Sequence, residues 1–301
     1  MGRRIFVFVI ILFVKGDWLF GSPNTSDSIQ TIIQDLTWAV DDQSIYFSAM
    51  QVRQDYSDYK PELWTVYRYD LSNGLLRTIF HSAIYVSLSP NGNKLALSVN
   101  EGNRRVLYTT HADGSSSELI IELGTKSFAP CWSPDGSKIL FNSDASGQVE
   151  IYELELASKV INRLTHSAGA NAYNPVVSPG GKYISYYLET GDGRDQIHMM
   201  NANGSQDRNL TRDTFNNIFP GWLDKNTIIY GQGTSNQPTK LYRMRTSGRG
   251  KKQFRNINSF YGRISSNGKK LAYIDNESGS IVIDTRGKVE IIPISKLIDN
   301  L

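Results

Sequence analysis

The chain has 301 residues, of which 40% are hydrophobic and 20% charged, and its net charge is +3. That composition excludes collagen-like and intrinsically disordered chains. The near balance of charge argues against bulk nucleic-acid binding, which requires many phosphates to be neutralised at once.

The first 22 residues stand apart. Arg3 and Arg4 precede ten unbroken apolar residues, Ile5 to Val14. A positive start followed by such a stretch predicts a secretory signal, and hence a periplasmic or secreted protein. Lys15 and Asp17 interrupt the stretch before it could span a bilayer. Its cleavage site is poorly marked, so a cleaved signal and an uncleaved anchor flanked by Trp18 to Phe20 both remain open. Losing Met1 to Ser22 removes three basic residues and one acidic residue, which leaves a net charge of +1.

After residue 29 helical periodicity is nearly absent. Short runs of Val, Ile, Tyr and Phe, split by Gly, Asn, Asp and Ser, predict strands. "CWSPDGSKILF" (Cys131 to Phe141) has counterparts in "SLSPNGNKLAL" and "VVSPGGKYISY". With Pro134 as anchor, the equivalent residues are Val40, Pro90, Pro179, Asp224 and Ser266, spaced by 50, 44, 45, 45 and 42 positions. Ser-Pro-Asp-Gly suits a tight turn, with Pro pre-set at its second position and Gly ending it. In most copies a second turn follows some 22 residues later, at Ser72, Asp113, Asn203, Ser247 and Arg286. The third copy lacks the glycine there.

Each copy therefore reads as four short strands, the pattern of a propeller blade. Six copies predict an all-β, six-bladed β-propeller of four-stranded antiparallel blades. The blades run roughly over 34–80, 84–122, 128–166, 173–212, 218–255 and 260–295. Two closures of the ring are open: "SIQTII" pairs with the last blade, or "KVEIIPI" completes that blade by itself.

"PCWSPDGSKILFNSDASGQVEIYELEL" and "NPVVSPGGKYISYY…QIHMMNANGSQDRNLT" resemble the WD-like repeats of the TolB propeller family. The resemblance spans roughly Ile29 to Ile292 and covers the propeller part only. TolB carries an α/β domain ahead of its propeller, whereas about a dozen residues separate the expected signal from the first blade. The resemblance thus implies an exported propeller with a protein-binding face, and not the uses of that domain.

Candidate binding residues fall on the rim opposite the short turns, where the loops are longer and more varied. Tyr56 and Tyr59 lie in the longest loop, "VRQDYSDYKPE". His81 and His166 follow the fourth strands of two copies at the same repeat position. Tyr85, Phe128, Tyr173, Phe219 and Tyr261 recur just before the innermost strands and are expected either to ring the channel mouth or to pack between blades. "RMRTSGRGKKQFR", with Arg249, Lys251 and Lys252, reads either as protection of an outer edge or as a site for an acidic partner.

Asp144, Glu189, Asp192, Asp195, Asp275 and Glu277 occupy acidic loops that could supply calcium oxygens, without matching an EF-hand. No metal site and no cofactor is otherwise expected, and Cys131 reads as an inert thiol. No Gly-x-Ser-x-Gly elbow occurs, which removes the propeller-peptidase class. The expectation is a monomeric, non-catalytic scaffold that binds another cell-envelope protein. The alternative is a carbohydrate-binding or polysaccharide-lyase-like propeller with its site at the channel mouth.

Overall fold

The computed structural model describes residues 28–189, 194–234 and 237–301. The expected leader at 1–22 lies outside them, as does Asp192. The described chain forms six four-stranded antiparallel sheets, each built from four consecutive strands. The first strands are Ile29–Trp38, Ala83–Leu88, Ser127–Trp132, Asn171–Val177, Asn216–Asp224 and Gly262–Ile264. Each contacts the first strand of the next sheet, and the sixth contacts the first, so these strands ring a common axis. The chain is thus a six-bladed β-propeller. Blade one begins at Ile29 rather than near residue 34, because its inner strand continues through a bulge between Ile33 and Asp35.

The turns behave as their residues dictate. In "SPDG", Ser133 Oγ donates to Asp135 Oδ1 (2.6 Å) and accepts Lys138 N–H (2.9 Å), while Gly136 N–H donates to Ser133 O (2.9 Å). Ser89, Ser178 and Ser265 accept the equivalent N–H groups of Lys94, Tyr183 and Lys270. The second turn lies against the preceding blade. At Gly114, a Cβ would run into the Ile79 carbonyl oxygen, so only glycine fits there.

One hydrogen bond recurs at the blade seams. Trp132 Nε1–H donates to Ser87 O (3.2 Å) and Trp222 Nε1–H donates to Val176 O (3.0 Å). Donor and acceptor hold the same places relative to their turn anchors in each case. Trp38 repeats the bond across the ends of the chain, donating to Arg263 O at 2.9 Å. The tryptophan of the repeat is therefore a tie between blades as well as core.

The ring closes without exchanging a strand. Lys288–Ile292 completes blade six by pairing with Ile281–Thr285, and Ile29–Trp38 is the inner strand of blade one. Besides the Trp38 bond, Asp42 Oδ1 accepts the N–H and hydroxyl of Ser266 at 2.8 and 2.7 Å. Lys270 Nζ donates to Asp42 O (2.9 Å), and the Tyr261 hydroxyl to Leu36 O (3.3 Å). A short helix, Ile294–Ile298, then packs Ile294 into the core. Apolar side chains of adjacent blades fill the seams, each fully buried Leu, Ile or Phe stabilising by about 1.5–3 kcal/mol.

Candidate functional site

The inner strands carry a recurrent distortion. In blades one to five the pairing register shifts within the inner strand. Tyr85, Ala129, Asn174 and Phe219 adopt left-handed φ values of 60°, 51°, 54° and 49° at these bulges. A bulge frees a backbone N–H, and the preceding blade catches it. Ser98 Oγ accepts Ala129 N–H (3.2 Å) and Asn142 Oδ1 accepts Asn174 N–H (2.9 Å).

The five candidate rings lie within these strands, or in the case of Tyr261 directly ahead of one, and are only 3–6% exposed. They occupy two repeat positions, because Phe128 and Tyr173 stand one residue further from their anchors than Tyr85, Phe219 and Tyr261. Tyr85–Phe128 and Phe128–Tyr173 centroids are 5.9 and 6.2 Å apart. Tyr187 of a second strand carries the series on, 5.4 Å from Tyr173 and 5.6 Å from Phe219, and Phe219 lies 5.9 Å from Tyr261. In this arrangement the rings meet one another around the axis instead of presenting open faces at its mouth.

The series breaks at blade one, where Asp35 holds the position of Tyr85. Asp35 is 2% exposed; its Oδ2 accepts Val86 N–H (2.6 Å) and its Oδ1 accepts the Ser48 hydroxyl. Burial raises its pKa to about 6, against the hydrogen bonds and the positive charge of Arg263. The Arg263 guanidinium stacks 4.0 Å from the Tyr261 ring centroid. Asp35 of blade one and Arg263 of blade six therefore set one acid and one base beside the aromatic rings of the axis.

The rim opposite the short turns carries the long connections. Tyr56 and Tyr59 are half-buried in the loop between Arg53 and Thr65 and pack against the core. Tyr56 has a left-handed φ of 58°. Beneath this loop Asn100 is 7% exposed and donates from Nδ2 to Pro61 O (2.9 Å) and Ser82 O (3.3 Å). Its Oδ1 accepts the Nε–H of Arg105 at 2.9 Å. The Arg105 guanidinium lies over the Phe128 ring, 6.0 Å from its centroid. His81 and His166 are exposed; the first sits 3.4 Å from Thr65 Oγ1, and no third ligand groups with either among the described residues.

The acidic loops use their oxygens locally. Asp144 accepts the N–H groups of Thr125 and Lys126, and Asp275 those of Glu277 and Ser278. Glu189 accepts Asn171 Nδ2, Glu277 accepts Asn258 Nδ2, and Asp195 is buried. On the outer edge of blade five, Lys251 bonds Thr211 O and lies 3.3 Å from Asp213, bracing two blades. Arg249 and Lys252 are exposed beside a cleft of about 400 Å³ that Arg243 and Arg245 also line. Cys131 is half-buried, and desolvation pushes its thiol up.

Asp35, Asn100, Arg105, Arg263 and Tyr187 were not singled out by sequence. Aligning the column five residues before each anchor exposes Asp35, the one acid among Tyr, Ala, Asn, Phe and Tyr. No such column marks Arg105, whose setting is made by Asn100 of its own blade, Phe128 of the next and, through Asn100, the loop of the preceding one.

Six such blades, with turns of the Ser-Pro-Asp-Gly kind on one rim and long loops on the other, define a WD-like propeller. Residues 46–258 match the family model described as the TolB beta propeller domain, and the chain belongs to that family. It is 31% identical over 116 residues to the Tol-Pal system protein TolB of Anaeromyxobacter dehalogenans, a segment of 38% of this chain and 26% of that protein. The match thus spans about a quarter of that relative's length. Among solved structures, a putative TolB from Agrobacterium tumefaciens superposes with a TM-score of 0.65 at 17% identity, covering 87% of this chain and 91% of that one. TolB from Acinetobacter baumannii gives 0.65 at 16%, covering 88% and 81%. At these identities the structural likeness shows the fold.

Proposed function

We propose that this protein is an exported, non-catalytic scaffold that binds another protein of the cell envelope through its long-loop rim. The observation that carries this reading is the asymmetry of the two rims. The turn rim spends its polar groups on its own tight turns and on neighbouring blades. The opposite rim holds the long loop after Arg53, with Ser57 and Asp58 exposed beside half-buried Tyr56 and Tyr59. Aromatic groups that are part apolar and part polar suit protein contacts. The positively charged, apolar leader supports export, and the kinship with Tol-Pal system proteins supports an envelope partner. Among the described residues no helix is long and apolar enough to cross a membrane. Among the described residues no feature of the rim favours the lyase-like alternative.

Site-specific photo-crosslinking in the producing cell tests this. A benzophenone side chain at Ser57 is expected to capture a discrete envelope protein, whereas one at Asp135 on the turn rim is not. Equal capture from both positions, or capture from Asp135 alone, would refute the assignment of the rim.

A further inference from the structure

We infer that Arg105 is a carboxylate reader at the mouth of the propeller, set to receive an Asp or Glu side chain of the bound partner. This rests on the long-loop rim being the binding face. Arg105 is the second residue of the third strand of blade two, Arg104–His111, where that strand leaves the long-loop rim. Its position is fixed from two sides. Asn100, locked by its own bonds to Pro61 and Ser82, orients the Nε edge, and the Phe128 ring lies against the guanidinium face.

What remains is the Nη pair. Neither Nη makes a hydrogen bond with another described residue, and neither is sealed from water. The ionisable groups acting on this cation are the phenols of Tyr85 and Tyr59 and the ammonium of Lys126; no described carboxylate pairs with it. A half-buried cation has lost part of its hydration, so one without a paired carboxylate favours an anionic partner. The fork geometry of two Nη donors matches one carboxylate bidentately. Tyr59, whose phenol acts on this cation, lies beside it half-buried and offers apolar surface to residues next to that carboxylate. A side-chain carboxylate within a polypeptide therefore fits better than a free anion.

The test is to pan a displayed library of random linear peptides against the immobilised full-length protein and measure enriched peptides by fluorescence anisotropy. Enriched sequences are expected to share an Asp or Glu next to an aromatic residue. Arg105→Gln should weaken them about tenfold or more, and Arg105→Lys less, because a charge remains but the fork is lost. Arg249→Glu on the outer hairpin should leave them unchanged. Replacing the shared acid of the peptide by its amide should give the same loss on the unaltered protein and little further loss on Arg105→Gln. The half of that arm read on the unaltered protein holds even if the arginine variant folds poorly.

Enriched peptides without an acid, or Arg105→Gln binding within about twofold of wild type, would overturn the inference. If such peptides were still lost on Tyr59→Ala, the long-loop rim would stand and only the role of Arg105 would fall. Peptides indifferent to both substitutions, or no enrichment at all, would count against the rim as well.

Discussion

Asp42 occupies a left-handed conformation, φ 55°, that glycine holds in four other copies of the turn, at Gly92, Gly136, Gly181 and Gly268. A non-glycine residue there costs about 1–2 kcal/mol. The cost is offset because the Asp42 carboxylate accepts Ser266 N–H, the Ser266 hydroxyl and Asn267 N–H from blade six. Asp42→Gly should relieve the strain yet lose these bonds, a net loss of about 1–3 kcal/mol, and Asp42→Ala should cost more by keeping the strain. Urea denaturation should rank the three proteins in that order; an equally stable alanine variant would contradict the account. Asp35 makes a pH-dependent case. Its folded pKa of about 6 lies above its ordinary value of 3.8. The folded state therefore holds a proton between these values that the unfolded chain has released. Its contribution is fully present below about pH 4 and falls by about 3 kcal/mol as pH rises to about 6. Asp35→Asn should remove this slope, seen as thermal midpoints that decline less between pH 4 and 6.5 than those of wild type. Parallel midpoint curves would show that Asp35 does not titrate there.

At the scale of strands and turns, the recurring tie is the tryptophan. Trp38→Phe, Trp132→Phe and Trp222→Phe each remove one seam hydrogen bond and strand a carbonyl, at a cost of about 1–3 kcal/mol. The Trp38 seam differs because no covalent link joins blade six to blade one. Local opening there should rise most, so hydrogen exchange at Trp38 and Ile264 should accelerate more in Trp38→Phe than exchange at Trp132 does in Trp132→Phe. Equal acceleration would mean that the seams open together. The strands and tight turns themselves were legible in sequence, because Ser-Pro-Asp-Gly and alternating apolar residues encode them within a few positions. The axis was less legible. Tyr85 and Phe128 read as one recurring column of aromatics, but bulges shift which residue points inward, and that shift depends on the preceding blade. Arg105 could not be found that way, since Asn100, Pro61 and Phe128, which fix it, come from three blades.

At the scale of the whole molecule, blade six is the weakest sector. Its strands span three, four, five and five residues, and its outer strand leaves Val289 and Ile291 51% and 63% exposed. Short strands bury less apolar area, and local stability follows burial. Native-state hydrogen exchange should therefore find the lowest protection over residues 262–292. Highest protection in blade six would mean that closure, and not burial, governs the ring. The manner of closure has a consequence beyond stability. Each blade is a single uninterrupted stretch of chain that borrows nothing from the far terminus. Duplicating or excising one coding segment would then add or drop an entire sector as a cassette, leaving no sheet short of a member, so the circumference of this scaffold is open to change by the simplest of genetic accidents.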